Sequence, residues 1–523
     1  MRKARLAALL LLVLVGRAAA EADPRPNIVF AFADDWGRYA SAYREPDRPT
    51  VNDAFETPHF DRLAKSGLLF WDAHVSAPSC SPSRTAVLTG RHFFRNGGGS
   101  QLHNPWSGDP AADPVKQLES YHTLLEKAGY HTGVTYKTHV SMHLFVDGKH
   151  VFNGAGMRPN RFSQVCSELR DTRKQEDAKR QMLDEARGNF RRFLDAAEPG
   201  QPFCWYYSPT NPHRPWVADS GTALWGINPE DLRGKMPRFL PDNEVLRQDF
   251  ADYLGECKAF DEQVGVIVEE LTSRGLLGNT ILVVSGDHGA PGFPLGKTNL
   301  TDFGTQVPLL IHWPDRLAAP GRVVENPTSL IDLAPTFLEA AGLPVHEQMD
   351  GRSLLPIVED ASASGLVPRE VPYVITGRER HKVEAREGHL PYPSRAIRTK
   401  DYLYIRNFKP ERWPQFTPPL TAGLRTHGDL DGGPTKQWYA EVQDDPAYED
   451  AVRRAWGKRA AEELYDLNAD VDQMNNLAAS PHHQATRQEL ADQLMQVLIA
   501  GQDPRIHGEG DAFDKPPYWK RAR

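Results

Sequence analysis

The chain has 523 residues and a formal net charge of −8, with 25% charged and 40% hydrophobic side chains. This composition is that of a water-soluble globular protein, and the negative net charge argues against nucleic acid as a partner. The length fits one large α/β domain followed by a smaller one.

Residues 1–20 have the pattern of a secretory signal peptide. A basic start at 2–5 precedes an apolar stretch at 6–15 and an Ala-x-Ala cleavage site that ends at Ala20. The apolar stretch is too short to cross a bilayer, and no later apolar segment reaches a spanning length. We therefore expect cleavage near Ala20, no membrane span, and export to a periplasmic, extracellular or lysosome-like compartment.

Apolar runs and amphipathic stretches alternate through most of the remaining chain. Continuous apolar runs such as NIVFAFA suit strands that are buried on both faces of a parallel sheet. In chain order the predicted elements are strand 27–33, helix 60–66, strand 68–74, helix 118–128, strand 132–136, helix 187–197, strand 202–207, helix 250–274, strand 280–285, strand 307–312 and helix 330–341. This alternation predicts an α/β fold with a large mixed, mainly parallel sheet sandwiched by helices.

The pattern changes after residue 370. Short alternating runs replace the long apolar ones, and they predict strands 371–375, 395–399 and 402–406, followed by a helix at 484–500. We therefore divide the mature chain into a catalytic domain at 21–370 and a C-terminal α+β domain at 371–523 with an antiparallel sheet.

Polar residues follow several of the predicted strands directly. Sites in sheets of this type form beyond the carboxyl ends of the strands. The residues in such positions are Asp34, Asp35, His139, His213, Asp287 and His288. Core packing does not explain this pattern, so the sequence predicts that these residues meet in one site.

The segment 80–91 (CSPSRTAVLTGR) contains the most informative motif. Pro82 suits the first turn of a helix, whose free N–H groups favour an anion, and Arg84 adds a permanent positive charge. The segment resembles the signature of the type I sulfatases, C-x-P-S-R followed by x-x-x-x-T-G-R. In that family the cysteine is oxidised to Cα-formylglycine, whose hydrate attacks sulfur. The resemblance implies an alkaline phosphatase-like fold, Cys80 as the modified nucleophile, and Arg84 as a catalytic residue.

Two further segments resemble the metal-binding pairs of the same family. They are Asp34-Asp35 and the segment 285–289 (SGDHG), which contains Asp287 and His288. The three carboxylates and the modified Cys80 would offer oxygen ligands to a single Ca²⁺ ion. His288 replaces the commoner asparagine, and imidazole is a less typical Ca²⁺ ligand, so the sequence defines the presence of a metal better than its identity.

Three other segments resemble the sulfo-binding motifs of the family. The segment 129–139 matches G-Y-x-T-x-x-x-G-K-x-H except at Tyr136, which implies that Lys137 neutralises sulfate oxygens and His139 contacts the formylglycine diol. His213 lies in a P-H-x-P motif, which implies a general acid for the bridging atom, a role that suits the pKa of histidine. Lys297 occupies the position of the last sulfate-binding cation.

Details of these motifs point to the heparan N-sulfatase (sulfamidase) branch. They include the forms of the segments 80–84, 137–140, 297–300 and 392–395. The resemblance implies a sulfated saccharide substrate, with sulfamate cleavage at glucosamine favoured over ester cleavage. It also implies a maturation partner, either a formylglycine-generating or a maturase enzyme, and leaves a homodimer open. The polar candidates for sugar contacts in the C-terminal domain are His381, Glu384, His389 and Arg395.

Other functions remain open from the sequence. They are an O-sulfatase for another sulfated sugar, a phosphonate or phosphodiester hydrolase of the same superfamily, and a catalytically silent glycan-binding protein. If Cys80 is modified, the other cysteines (Cys166, Cys204 and Cys257) allow at most one disulfide. Buried free thiols are the expectation for Cys204 and Cys257.

Overall fold

A large mixed sheet forms the centre of the computed structural model, which describes residues 25–103, 113–148, 150–167, 172–420, 428–508 and 510–515. Its strands are β1 (Asn27–Ala33), β2 (Leu68–His74), β3 (His131–Tyr136), β4 (Phe203–Ser208), β5 (Thr280–Gly286), β6 (Gln306–His312), β7 (Arg322–Val324) and β8 (Thr328–Ser329). The order is β3-β4-β1-β5-β6-β2-β7, and β8 pairs with β2. Only β6 runs antiparallel to its neighbours among these described strands, which confirms the mainly parallel sheet.

Helices cover both faces of this sheet. They are α1 (Pro58–Ser66), α2 (Cys80–Thr89), α3 (Tyr121–Lys127), α4 (Phe162–Ser167), α5 (Thr172–Asp195), α6 (Ser220–Trp225), α7 (Glu244–Ser273), α8 (Asp302–Thr305), α9 (Leu333–Ala340) and α10 (Leu355–Glu359). One apolar core contains Phe190 of α5 and Phe260 of α7, and a second contains Tyr121 of α3 and Phe337 of α9. Each core buries one face of the strands, because successive strand residues point to opposite faces.

A second, antiparallel sheet follows from Tyr373 onwards. Its strands are β9 (Tyr373–Arg378), β10 (Ser394–Thr399), β11 (Tyr402–Asn407) and β12 (Glu462–Asp466), in the order β12-β11-β10-β9. The accompanying helices are α11 (Pro434–Val442), α12 (Glu449–Trp456), α13 (Gln484–Ala500) and α14 (Asp511–Asp514). Leu494 of α13 packs in one core with Tyr404 of this sheet and with Phe93 and Ile331 of the preceding region. The antiparallel C-terminal sheet was predicted, whereas the boundary at 370 and 371 stays a prediction.

The largest difference from the predicted elements is in α5. The prediction began at 187, whereas the helix begins at Thr172. Within residues 173–183, only Ala178 and Met182 are buried apolar residues. This half of the helix therefore offers few apolar positions from which a helical period can be recognised in the sequence. The predicted signal peptide lies outside the described residues. Within the described ranges, no helix combines the length and the apolar character that crossing a membrane requires.

Candidate active site

The site is built at the carboxyl ends of β1 and β5, which pair in parallel. Asp34 and Asp35 follow β1, and Asp287 and His288 follow β5; all of them are completely buried. The backbone N–H of Asp35 donates to Oδ1 of Asp287 at 2.7 Å, and the N–H of Asp287 donates to the Ala33 carbonyl at 3.1 Å. Adjacent parallel strands thus place these carboxylates together.

Cys80 is the first residue of α2 and lies at the centre of this group. Its Sγ is 3.4 Å from Nε2 of His288, 3.5 Å from Nζ of Lys137 and 3.9 Å from Oδ1 of Asp35. Burial raises the pKa of the Cys80 thiol, but the opposite effect of Lys137 and Lys297 is larger. The net result is a pKa lowered to about 6. The surroundings of Cys80 therefore favour a negatively charged group at this position.

Arg84, one helical turn after Cys80, is fully buried behind the carboxylates. Its Nε donates to Oδ2 of Asp287 at 2.9 Å, and the same guanidinium donates to Asp34 at 3.2 Å and to Oγ of Ser208 at 2.5 Å. Burial lowers the pKa of Arg84, but Asp287 and its other neighbours raise it above the ordinary value. Arg84 thus balances the buried carboxylates.

Two lysines approach Cys80 from different elements. Nζ of Lys137 lies 2.7 and 2.5 Å from the two carboxylate oxygens of Asp34, and Nζ of Lys297 lies 3.0 Å from each oxygen of Asp35. Burial lowers the pKa of both lysines, but Asp34 and Asp35 respectively raise it above the ordinary value. Both side chains are therefore ammonium ions, and they suit the oxygens of a sulfo group.

Two histidines complete the group. Nε2 of His213 lies 3.9 Å from Oδ2 of Asp35, and its Nδ1 contacts the Arg214 carbonyl, which assigns the proton of the neutral ring to Nδ1. His213 is 31% exposed, so it lies at the opening of the site. Nε2 of His139 is 2.8 Å from Nδ1 of His103, a residue that the sequence analysis did not identify. Burial and Lys137 lower the pKa of His139 to about 3, so it is neutral.

The buried carboxylates fit a divalent cation. Ligand atoms of Asp35, Cys80, Asp287 and His288 all lie within 4.8 Å of one another. Nδ1 of His288 contacts the Gly289 carbonyl at 3.1 Å, so Nε2 is the ring atom that faces the carboxylates, 3.0 Å from Oδ1 of Asp35. Burial lowers the pKa of His288, but Asp287 and Asp35 raise it to about 9, which shows that this group attracts positive charge. A carboxylate-rich set of this kind suits a hard cation.

Comparisons with known proteins agree with this geometry. The family model described as Sulfatase matches residues 26–343, which is more than half of the chain. The chain belongs to the sulfatase family. A second model, described as N-sulphoglucosamine sulphohydrolase, C-terminal, matches residues 295–416.

This sulfatase is similar over most of its length to several characterised relatives. The human N-sulphoglucosamine sulphohydrolase is 28% identical over 93% of this chain and 92% of its own. An ulvan-active sulfatase of Formosa agariphila is 26% identical over 94% of this chain and 78% of its own.

Solved structures share the fold at lower sequence identity. A protein in complex with its substrate D-glucosamine-2-N,6-O-disulfate has a TM-score of 0.59 at 18% identity, covering 94% of this chain and 100% of its own. The phosphonate monoester hydrolase of Agrobacterium radiobacter has a TM-score of 0.60 at 18% identity, covering 92% and 97%. The alkaline phosphatase-like architecture is thereby confirmed.

One of the four predicted sugar contacts, His381, lies at the site. His381 is buried, and its Nδ1 lies 2.7 Å from Oγ of Ser79, next to Cys80. Glu384 and His389 are exposed on two short helical turns, where Nδ1 of His389 lies 3.1 Å from the Val383 carbonyl.

Arg395 requires a correction. It is fully buried in β10, where its guanidinium pairs with Glu379 at 2.8 Å and with Asp503 at 2.6 Å. Both carboxylates that pair with Arg395 belong to the C-terminal region. This arginine therefore supports the C-terminal sheet and does not reach a saccharide. The resemblance of the segment 392–395 to the family therefore reflects a structural role in this sheet.

Asp431 and Lys382 are site residues that the sequence analysis missed. Oδ2 of Asp431 is 3.2 Å from Nζ of Lys297, and Oδ1 accepts a hydrogen bond from Nζ of Lys382 at 2.9 Å. The available signal was the pair of aspartates, Asp429 and Asp431, in a glycine-rich segment that the sequence analysis did not use.

Proposed function

We propose that this sulfatase hydrolyses the N-sulfo group of glucosamine in heparan-type saccharides, with the formylglycine derived from Cys80 as nucleophile. The observation that carries the chemistry is the position of Cys80, between the metal-binding carboxylates and the ammonium groups of Lys137 and Lys297. The match of the C-terminal segment to the sulphohydrolase family model supports the choice of substrate.

Each residue has a role that follows from its position. A bound divalent cation would polarise the sulfo oxygens, and the hydrate of formylglycine would supply the attacking hydroxyl. Lys137 and Lys297 neutralise sulfo oxygens from two sides, because both are ammonium ions beside Cys80. His213 is partly exposed and its Nδ1 contacts the Arg214 carbonyl, so Nε2 faces the site, where the imidazolium form would give its Nε2 proton to the leaving nitrogen.

A second candidate is a sulfatase for a different sulfated glycan. The ulvan-active relative supports it, because its identity and its coverage of this chain are close to those of the human sulphohydrolase. Both candidate functions use the same buried catalytic group. They differ in the sugar that the enzyme accepts.

Release of free sulfate from defined substrates distinguishes the two candidates. Purified protein is incubated with N-sulfoglucosamine, glucosamine 6-O-sulfate and 4-nitrophenyl sulfate, and sulfate is measured by ion chromatography. Cys80→Ala serves as the control for contaminating sulfatases. We expect the highest kcat/KM for N-sulfoglucosamine, and a preference for the 6-O-sulfate would contradict the N-sulfatase assignment.

The proposal includes Ca²⁺ as the metal, a formylglycine-generating or maturase enzyme as the maturation partner, and export after cleavage near Ala20. Elemental analysis of purified protein identifies the metal, and N-terminal sequencing of the mature protein locates the cleavage site. Coexpression with a formylglycine-generating enzyme should raise specific activity. Light scattering after size exclusion tests the homodimer.

A further inference from the structure

Asp431 and Lys382 form a charged pair at the outer edge of the sulfo-binding group. Asp431 lies between Nζ of Lys297, at 3.2 Å, and Nζ of Lys382, at 2.9 Å. The side chains of Asp431 and Lys382 are 15% and 20% exposed, whereas that of Lys297 is only 4% exposed. The pair is therefore the solvent-facing layer outside Lys297, where the rest of a substrate would lie.

The segments that carry the pair are fixed to one another. Asp429, two residues before Asp431, is completely buried. It accepts a hydrogen bond from the Lys382 backbone N–H at 2.8 Å and forms ion pairs with Arg378 at 3.0 Å and Arg386 at 2.7 Å. Since these contacts hold the backbone on both sides, the pair is preorganised and loses little freedom when a ligand binds.

The pair also lies near the residue that serves the leaving group. Burial raises the pKa of Asp431, but Lys297, Lys382, His213 and His381 together lower it well below its ordinary value. Asp431 is therefore an anion within electrostatic range of His213. A sugar whose leaving atom meets His213 would extend its neighbouring ring substituents towards this carboxylate.

We propose that Asp431 and Lys382 recognise a free hydroxyl on the ring carbon next to the sulfo-bearing carbon, and disfavour a second sulfo group there. A hydroxyl both donates and accepts hydrogen bonds, which matches a carboxylate beside an ammonium group. A sulfo group only accepts, so it cannot donate to the carboxylate of Asp431. It could bind Lys382 only in competition with Asp431, which already pairs with that ammonium group. This inference rests on the proposed function only in requiring a sulfated sugar.

The test compares two sugars that differ at the neighbouring position. Wild-type enzyme, Asp431→Asn and Lys382→Met are assayed on N-sulfoglucosamine, its 3-O-sulfated form and 4-nitrophenyl sulfate. Glu325→Gln is the matched control, since Glu325 forms an exposed pair with Lys400. We expect the wild type and the control to prefer the 3-hydroxyl form by at least about tenfold, the value of one hydrogen bond to a charged group.

Asp431→Asn should reduce this preference at least about threefold, because an amide N–H can donate to a sulfo oxygen, whereas a carboxylate cannot. Lys382→Met should lower kcat/KM for the saccharide about tenfold, with a smaller loss on the aryl sulfate. An unchanged preference in Asp431→Asn, or equal losses on saccharide and aryl sulfate, would overturn the proposal. If the wild type cleaves another sulfated sugar but not N-sulfoglucosamine, the N-sulfatase proposal fails. The same ratio is then measured on that sugar and its form sulfated at the neighbouring hydroxyl.

Discussion

Replacement of Arg395 by alanine tests whether this residue stabilises the C-terminal sheet or binds the substrate. The guanidinium is completely buried and lies 2.8 Å from Glu379 and 2.6 Å from Asp503, both of which are buried as well. It also lies 4.8 Å from the ring centre of Phe93. Alanine at this position would remove the guanidinium group that pairs with these two buried carboxylates. Glu379 would retain Arg505, at 2.6 Å.

Removal of one partner from a buried ion pair costs about 3–5 kcal/mol. For a domain of this size, that loss lowers Tm by roughly 6–20 °C. Thermal unfolding followed by circular dichroism measures the shift. Below the new Tm, we expect the folded fraction of Arg395→Ala to lose activity on a saccharide and on 4-nitrophenyl sulfate to the same extent.

Arg453→Ala is the control for removal of an arginine as such. Arg453 is 64% exposed and pairs with Asp450 on α12, so its loss should change stability by less than about 1 kcal/mol. An Arg395→Ala protein with unchanged Tm and a loss confined to the saccharide would refute the structural role and restore the substrate-binding one.

Other predictions concern the nucleophile, the metal and the pH dependence of stability. Mass spectrometry of the peptide containing Cys80 should show an aldehyde or its hydrate, and fully active protein with an unmodified thiol would contradict this. Chelation should lower both activity and Tm, because an ion that binds only the folded state stabilises it by about 3 kcal/mol when its concentration is a hundredfold above Kd. The Asp35→Asn protein should contain no bound ion in elemental analysis. Burial raises the pKa of Asp252 from 3.8 to about 7, so stability should fall as pH rises between these values, by up to about 4 kcal/mol. In Asp252→Asn the contribution of Asp252 to this decline should disappear, and a Tm difference from wild type that is equal at pH 5 and pH 8 would exclude Asp252 as a source of it.

The sequence alone determined the features that depend on neighbouring residues. The apolar runs at 27–33 and 280–285 predicted β1 and β5, because strands buried on both faces need apolar residues throughout. The polar residues that follow these runs were then expected at one edge of the sheet. The motif around Cys80 indicated the sulfatase family, which the family model over residues 26–343 confirmed.

The tertiary structure decided the features that depend on distant partners. Arg395 looked like a saccharide contact, but Asp503, 108 residues further along the chain, pairs with it in the interior. Asp431 carries no sequence motif, but in the structure it pairs with Lys297 and Lys382 at the opening of the site. A charged side chain has the same appearance in a sequence whether it contacts water, a ligand or a buried partner. Its role follows from the charges that the fold places around it.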